Sequence, residues 1–348
     1  LGFTRLTGGR QYTDSSSSSS WHGSSTIPIS ADDLHGFFDA KVAGVRASTE
    51  DAPPPTYSTA PSNCRLTEFR RLVADDVITA VRELPDKQCE SDPVPTRLLK
   101  SNVDLLAPFL VDLFNMSLSI GAVPDVFKAA YITPLLKKEG ADPTDVKFYR
   151  PISNLSVLSK LLERLVAKQL LDYLTSFRLL PDLQSAYRAF HSTETAVLKV
   201  LSDILLAVDS GDLAMLALLD LSAAFDTVDH TILLRRLQQS YGLGGSTLLW
   251  FRSYLQERTQ FVRCGSASRS APTRVRYGVP QGSVLGPILF VLYAAGLLQL
   301  VMEHGLSPHA YADDVQVYSS CRPGASAPLQ NRGSDCIAEA PIWVRSNR

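Results

Sequence analysis

Three carboxylates carry the chemistry that this chain suggests first. Asp220 ends the apolar run Leu213–Leu219, and Asp313 and Asp314 sit side by side in Tyr311-Ala-Asp-Asp314. Acids brought together from two strands repel unless cations lie between them, and hard oxygen ligands of this kind suit Mg²⁺. Two such ions can activate an attacking oxygen and stabilise a leaving one in phosphoryl transfer. The stretch His309–Tyr318 is β-branched and aromatic on both sides of Asp313-Asp314. It predicts a tight hairpin with the two acids at its tip. Leu213–Leu219 is too apolar for a surface element and predicts a buried strand that delivers Asp220 into the same cleft. An Asp-Asp pair alone is an ordinary turn signal, so the residues between the acids decide how they are read.

Between them lies Tyr277-Gly-Val-Pro-Gln-Gly-Ser-Val-Leu-Gly-Pro-Ile-Leu-Phe290, a Gly- and Pro-rich turn opening into a long apolar segment. Asp220 with Phe225, then Gly278-Val-Pro-Gln-Gly-Ser283, then Tyr311-Ala-Asp-Asp314 resemble motifs A, B and C of reverse transcriptases, in that order. The wording Leu219-Asp-Leu-Ser-Ala-Ala-Phe-Asp-Thr-Val-Asp-His230 is similar to that of non-LTR, LINE-type retrotransposons of the CR1/jockey-like group. The resemblance runs from roughly residue 60 to 348 and is strongest from 130 to 316.

The resemblance implies an α+β fold of the right-hand polymerase type. Fingers and palm are expected, with an antiparallel palm sheet packed by helices. A helical N-terminal extension precedes them, and the chain stops before a thumb, in a segment similar to the start of motif D at Cys336–Trp343. The implied activity is RNA-directed DNA polymerisation: deoxynucleotidyl transfer by two metal ions, serving target-primed retrotransposition. The alternative is a catalytically inactive remnant that at most binds nucleic acid. Asp220, Asp313 and Asp314 are then both catalytic residues and ligands of two Mg²⁺ ions, with Mn²⁺ as the alternative metal. Phe225 becomes a gate that clashes with a ribose 2′-hydroxyl. Gln281 and Gly282 would contact the nucleotide or template, Gly because it lets backbone approach a ligand closely. Arg188 and Lys160 are the expected triphosphate contacts, since a triphosphate needs donors beyond the metals. Arg150 is assigned either an ion pair or a template phosphate. Asp226 and Asp229 look like acids at a helix start and stay outside the catalytic set. The implied partners are an RNA template, a DNA primer and deoxynucleoside triphosphates, with no membrane and no obligate protein partner. The implied location is intracellular, nuclear and cytoplasmic, as a ribonucleoprotein.

The elements that must position these residues follow from pattern and composition. With 45 % hydrophobic and 20 % charged residues the chain can bury a large core, while its net charge of −1 means that any nucleic-acid surface must be local. Residues 1–63 read as largely disordered, with the serine run Ser15–Ser20, Pro53-Pro-Pro55 and one short helix on Leu34, Phe37, Phe38 and Val42. Residues 64–118 read as the helical extension, with helices at Ala74–Leu84 and Val103–Ile120, the latter burying Leu106, Phe109, Leu110, Leu113 and Phe114. Residues 119–348 form the polymerase domain. There Tyr131–Lys138 predicts a strand, and Phe148–Ser153 a loop feeding a helix. The next helix turns Ala196, Val197, Val200, Leu201, Ile204 and Leu205 inward. Val284–Met302 is long and apolar enough to span a bilayer but reads better as a core helix. The five cysteines show no metal-binding spacing and read as unpaired thiols, and Pro341 is an unfavourable helix-interior residue.

Overall fold

The structure is a computed structural model, and it describes residues 27–86, 92, 94–138, 140–221, 223–265 and 268–348. The serine run and Cys89 lie outside the described residues. In chain order the elements are helices α1 (Ala31–Ala47), α2 (Ala74–Arg82), α3 (Thr96–Ser101) and α4 (Val103–Ile120), then strands β1 (Ala129–Leu136) and β2 (Tyr149–Asn154). Helices α5 (Val157–Ser176) and α6 (Thr193–Asp209), strand β3 (Leu213–Asp220), and helices α7 (His230–Gln239) and α8 (Gly245–Leu255) follow. Strands β4 (Thr259–Cys264), β5 (Ser268–Arg269) and β6 (Thr273–Arg274) precede helix α9 (Leu285–Glu303), the hairpin β7 (Ser307–Tyr311) and β8 (Asp314–Cys321), and helix α10 (Ser326–Ser346). The class is α+β, as the alternation of patterns predicts.

Two sheets organise the molecule. The larger has β1 between antiparallel β2 and parallel β4, with β5 and β6 both pairing with β4. The smaller is antiparallel in the order β3-β8-β7. Between them runs a helical core whose centre is α9, with Leu285, Leu289, Leu292 and Val301 sealed from solvent. Trp250, Tyr254 and Phe251 of α8 and Leu161, Leu162 and Leu170 of α5 pack into the same cluster. So do Val77 and Val81 of α2 and Phe114 of α4, so the helical segment 64–118 shares one core with the rest. Among the described residues two helices, α4 and α9, are long and apolar enough to cross a membrane by composition. Two thirds of the apolar window of α9 is buried inside the protein, which accounts for its composition without a bilayer.

Five expectations are corrected. Residues 149–154 form a strand paired with β1, because Pro151 sits opposite Pro134 where neither missing N–H breaks the ladder between their neighbours. Helix α4 turns Leu110 and Phe114 inward but exposes Phe109 and Leu113, since Val103, Ala107 and Ser117 complete the buried face instead. Helix α6 buries Ala196 and Val200 only, leaving Val197, Leu201 and Leu205 exposed. Strand β3 is an edge strand, with Leu216 and Leu218 in solvent rather than buried. The Pro-rich stretch expected as a free link is also tied down: the Ala60 N–H donates to the Gln239 carbonyl (2.8 Å) and the Ser240 hydroxyl to the Ser58 carbonyl (2.8 Å). Helix α10 continues through Pro341 despite the lost backbone bond. Cys64, Cys264, Cys321 and Cys336 are free thiols.

Candidate active site

The small sheet brings the three acids to one end. Asp220 is the register partner of Asp314, and Asp314 pairs in turn with Tyr311. The hairpin tip is therefore Ala312-Asp313, one residue earlier than the sequence suggests, and Asp314 already belongs to β8. Ala312 takes the tight turn with φ of 58°. Period-two geometry puts Asp220, Leu218 and Leu216 on the same face as Asp314 and Gln316. Burial pushes the Asp313 carboxyl above the usual carboxylate range, and the charges of Asp314 and Asp220 push it further; its own backbone N–H and Arg150 oppose this. The acids thus feel one another, and a cation would relieve that repulsion. Among the described residues no three His, Cys, Asp or Glu side chains are drawn into a ready metal cage. The donor chemistry fits a hard divalent ion, and the side chains share an end of the sheet without forming a chelate.

The tip is held by a residue that the sequence reading passed over. Gln184 is buried; its amide oxygen accepts from the Ala312 N–H (2.9 Å) and its amide nitrogen donates to the Ala312 carbonyl (3.1 Å). The same oxygen accepts from the Ala186 N–H. Backbone bonds between Leu183, Ser185 and Ala310 fasten this segment to β7. Tyr187 stands beside the tip, its hydroxyl pushed up to about 12 by burial, then by Asp313 and Tyr311. Only the polar character of Gln184-Ser185 within an otherwise apolar stretch hinted at this clamp.

The loop after Asp220 meets the Gly-rich turn. The Gly278 N–H donates to the Val228 carbonyl and the Val279 N–H to the Phe225 carbonyl, both at 2.8 Å. His230 Nε2 donates to the Gly278 carbonyl (2.8 Å). Gly278 has φ of 87°, and a Cβ there would lie 2.8 Å from the Asp226 carbonyl oxygen. Gly282 has φ of 117°, and its Cβ would lie 2.5 Å from the Ser153 carbonyl oxygen, so both positions require glycine. The Gln281 carbonyl accepts from the Ser153 N–H (2.7 Å), which ties the turn to β2. Phe225 is half-buried and stacks on Phe290 of α9, with ring centroids 4.6 Å apart. Glu163, wholly buried in α5, accepts from the Val284 and Leu285 N–H groups at the start of α9 (2.8 and 3.0 Å). Desolvation raises its pKa against those bonds and the Arg258 charge.

The remaining candidates part company. The Arg188 Nη1 donates to the carbonyls of Pro181, Asp182 and Gln184 (3.3, 3.1 and 3.4 Å), which gives it a part in shaping this loop. Lys160 is half-buried in the first turn of α5. Arg150, on β2, is the cation that Asp313 senses. Lys137 lies near it: burial lowers the lysine's pKa first, then the charges of Lys41 and Arg150. Asp229 caps α7, accepting from Thr231 and Ile232 N–H groups (2.8 and 3.0 Å), as its position at a helix start predicts. Asp226 does not cap; burial raises its carboxyl to about 6, with Lys41 pulling the other way.

Comparison with known proteins decides the family. Residues 136–331, more than half of the chain, match the model of the reverse transcriptase (RNA-dependent DNA polymerase) family. The chain belongs to the reverse transcriptase family. Among curated relatives, the probable RNA-directed DNA polymerase from transposon BS of Drosophila melanogaster is 34 % identical over 79 % of this chain and 31 % of its own length. The RNA-directed DNA polymerase from mobile element jockey of the same species is 32 % identical over 72 % of this chain and 28 % of its own. The probable polymerase from transposon X-element is 33 % identical over 81 % and 31 %. The chain is accordingly similar to the non-LTR, jockey-like group, and it spans about a third of the length of these relatives.

Proposed function

We propose that this chain carries the nucleotidyl-transfer site of an RNA-directed DNA polymerase of the non-LTR type, with the small sheet as palm and the larger sheet as fingers. The observation that carries the reading is the pairing of Asp220 with Asp314 beside Asp313, at a sheet end faced by Arg150. Asp220, Asp313 and Asp314 would hold Mg²⁺, with Mn²⁺ as a substitute. When bound, the ions would supply charge neutralisation and ionisation of the primer 3′-hydroxyl, which removes the need for a histidine base.

The chain's own residues do the rest. Arg150 carries the positive charge that Asp313 senses, with Lys137 beside it, and both suit a triphosphate's oxygens. Phe225, braced by Phe290, limits the space at the sugar and favours deoxynucleotides over ribonucleotides. Gln281 and Gly282 stand on a turn fastened to β2 and to the Phe225 loop, so nucleotide contacts there would be pre-positioned. Gln184 fixes the hairpin tip that presents Asp313. RNA template, DNA primer and deoxynucleoside triphosphates are the proposed substrates, and target-primed retrotransposition the process served.

Single-nucleotide extension of a DNA primer on an RNA template with Mg²⁺ tests the reading. Incorporation is expected from the chain and a loss of about 10²–10³-fold or more in Asp220→Asn, with thermal stability kept. Equal incorporation by the two proteins would refute it.

A further inference from the structure

Helix α1 lies outside the family-matched residues 136–331, yet it reaches both turns that border the proposed nucleotide site. Its start is fixed by Ser30, whose hydroxyl accepts from the Asp33 N–H at 3.1 Å. Its inner face buries Ala31, Leu34 and Phe38 against Ile132 of β1, Tyr149 of β2 and Val262 of β4, a second core separate from the main one. That packing fixes where the last turn must fall. There the Arg46 Nη2 lies 2.9 Å from Asp229 Oδ2, with both side chains largely covered. The guanidinium also stands over the Tyr277 ring, 4.2 Å from its centroid.

Both partners are anchored at the junction of the two turns. Asp229 already caps α7 through its other oxygen. Tyr277 directly precedes Gly278, whose N–H closes onto the Val228 carbonyl. One guanidinium therefore spans the outer end of a seam whose inner end is the Val279 to Phe225 bond. Between α1 and the seam is a cavity of about 70 Å³, bordered by His35, Asp226, Arg258 and Gln281. It has room for a few waters. It is the seam between a docked helix and the two turns.

We propose that helix α1 is a positioning element of the nucleotide site, with Arg46 holding the Tyr277–Ser283 turn against the Phe225–Asp229 loop. The consequence for chemistry rests on the proposed polymerase function; the mechanical coupling does not. Losing Arg46 leaves Phe225 and Gln281 in place chemically but lets the gap between them widen. Nucleotide affinity and sugar selection should then suffer more than turnover.

Two readouts on the full chain test this separately. Hydrogen exchange of Arg46→Ala should show the Gly278 and Val279 amides opening about tenfold faster, as expected from losing an ion pair and a cation–π contact worth about tenfold together. Amides of α9 and of the β1–β2 pair should keep their rates. In primer extension the variant should raise the deoxynucleotide KM about tenfold with kcat within about twofold, and narrow the preference for deoxynucleotides over ribonucleotides. Arg46→Lys, which keeps the charge but not the planar stacking, should recover part of each effect. Unchanged exchange at 278 and 279 overturns the coupling, whatever the activity. Faster exchange with unchanged KM and selectivity, in a chain that extends primers, overturns the role at the nucleotide site. A wild-type chain that extends nothing sinks the polymerase reading and with it that role, while the exchange result still decides the coupling.

Discussion

The two sheets are built to opposite rules. The larger one is covered: α1 seals one face with Leu34 and Phe38, and cations gather at its rim as Arg150, Lys137 and, from the helix, Lys41. The smaller one is only partly covered on its Asp220 face, by α6, whose Asp203 accepts from the Tyr318 hydroxyl. Its edge strand leaves Leu216 and Leu218 in solvent and sets Asp220 on that same face, and burial, with the charges of Asp314 and Asp220, raises the cost of ionising Asp313. Exposed leucines on an edge strand beside a cluster of acids are poor design for stability alone. The contrast teaches that the larger sheet supplies a rigid wall and positive charge, while the smaller one supplies negative charge at an exposed edge.

Removing the positive side should separate two arginines that look alike in sequence. Arg150→Ala is expected to raise the nucleotide KM by about 10- to 100-fold, the scale of one or two charge-assisted bonds, with little change in melting temperature. Arg188→Ala should do the reverse, lowering the melting temperature while KM per folded molecule stays near wild type. Steady-state kinetics beside a thermal melt check the pair, and a KM effect confined to Arg188 would invert the assignment. A smaller effect is expected at the clamp. Gln184→Met keeps the volume but removes the bonds to Ala312, and kcat should fall by about tenfold as Asp313 loses its fixed position. An unaltered kcat would make Gln184 a purely structural side chain.

The smallest effect concerns Asp226, at the border of the two halves. Its folded pKa of about 6 lies above the usual aspartate value. The folded state therefore binds more protons than the unfolded one between about pH 4 and 6, and stability falls as pH rises through that window. Asp226→Asn removes the cost. It should stabilise the protein by about 1 kcal/mol at pH 8, discounted for the solvent contact that the group keeps, and by nothing near pH 4. Denaturation at both pH values checks the sign.

Much of this was legible in the sequence, and the misses have physical causes. Helices α2 and α4 announced themselves through their apolar patterns, and their bounds fall close to the expected Ala74–Leu84 and Val103–Ile120. The acids and the Gly-rich turn were legible because their residue types serve a chemistry as well as a conformation. The faces of α4 and α6 were misread because each helix carries more apolar residues than one face can bury, so periodicity could not say which of them meet the core. Strand β3 looked buried for the same reason: apolarity marks a strand, but only the sheet order reveals an edge. Arg188 and Arg150 could not be ranked from one sequence, because what separates them is three carbonyls around one and an acidic turn near the other. The reach of α1 was invisible because Arg46 and its partners are far apart in the chain.

The account stands on the smaller sheet's acids acting together as a site for divalent cations. Titration of the full chain with Mn²⁺, followed by the electron paramagnetic resonance signal of the free ion, tests that most directly. The expected result is Mn²⁺ binding that Mg²⁺ displaces, and that weakens by about tenfold or more in both Asp313→Asn and Asp220→Asn, because each variant removes one charged ligand from a shared site. Asp209→Asn, away from the hairpin tip at the end of α6, should bind as the wild type does. Identical Mn²⁺ binding by the wild type, Asp313→Asn and Asp220→Asn would contradict the account.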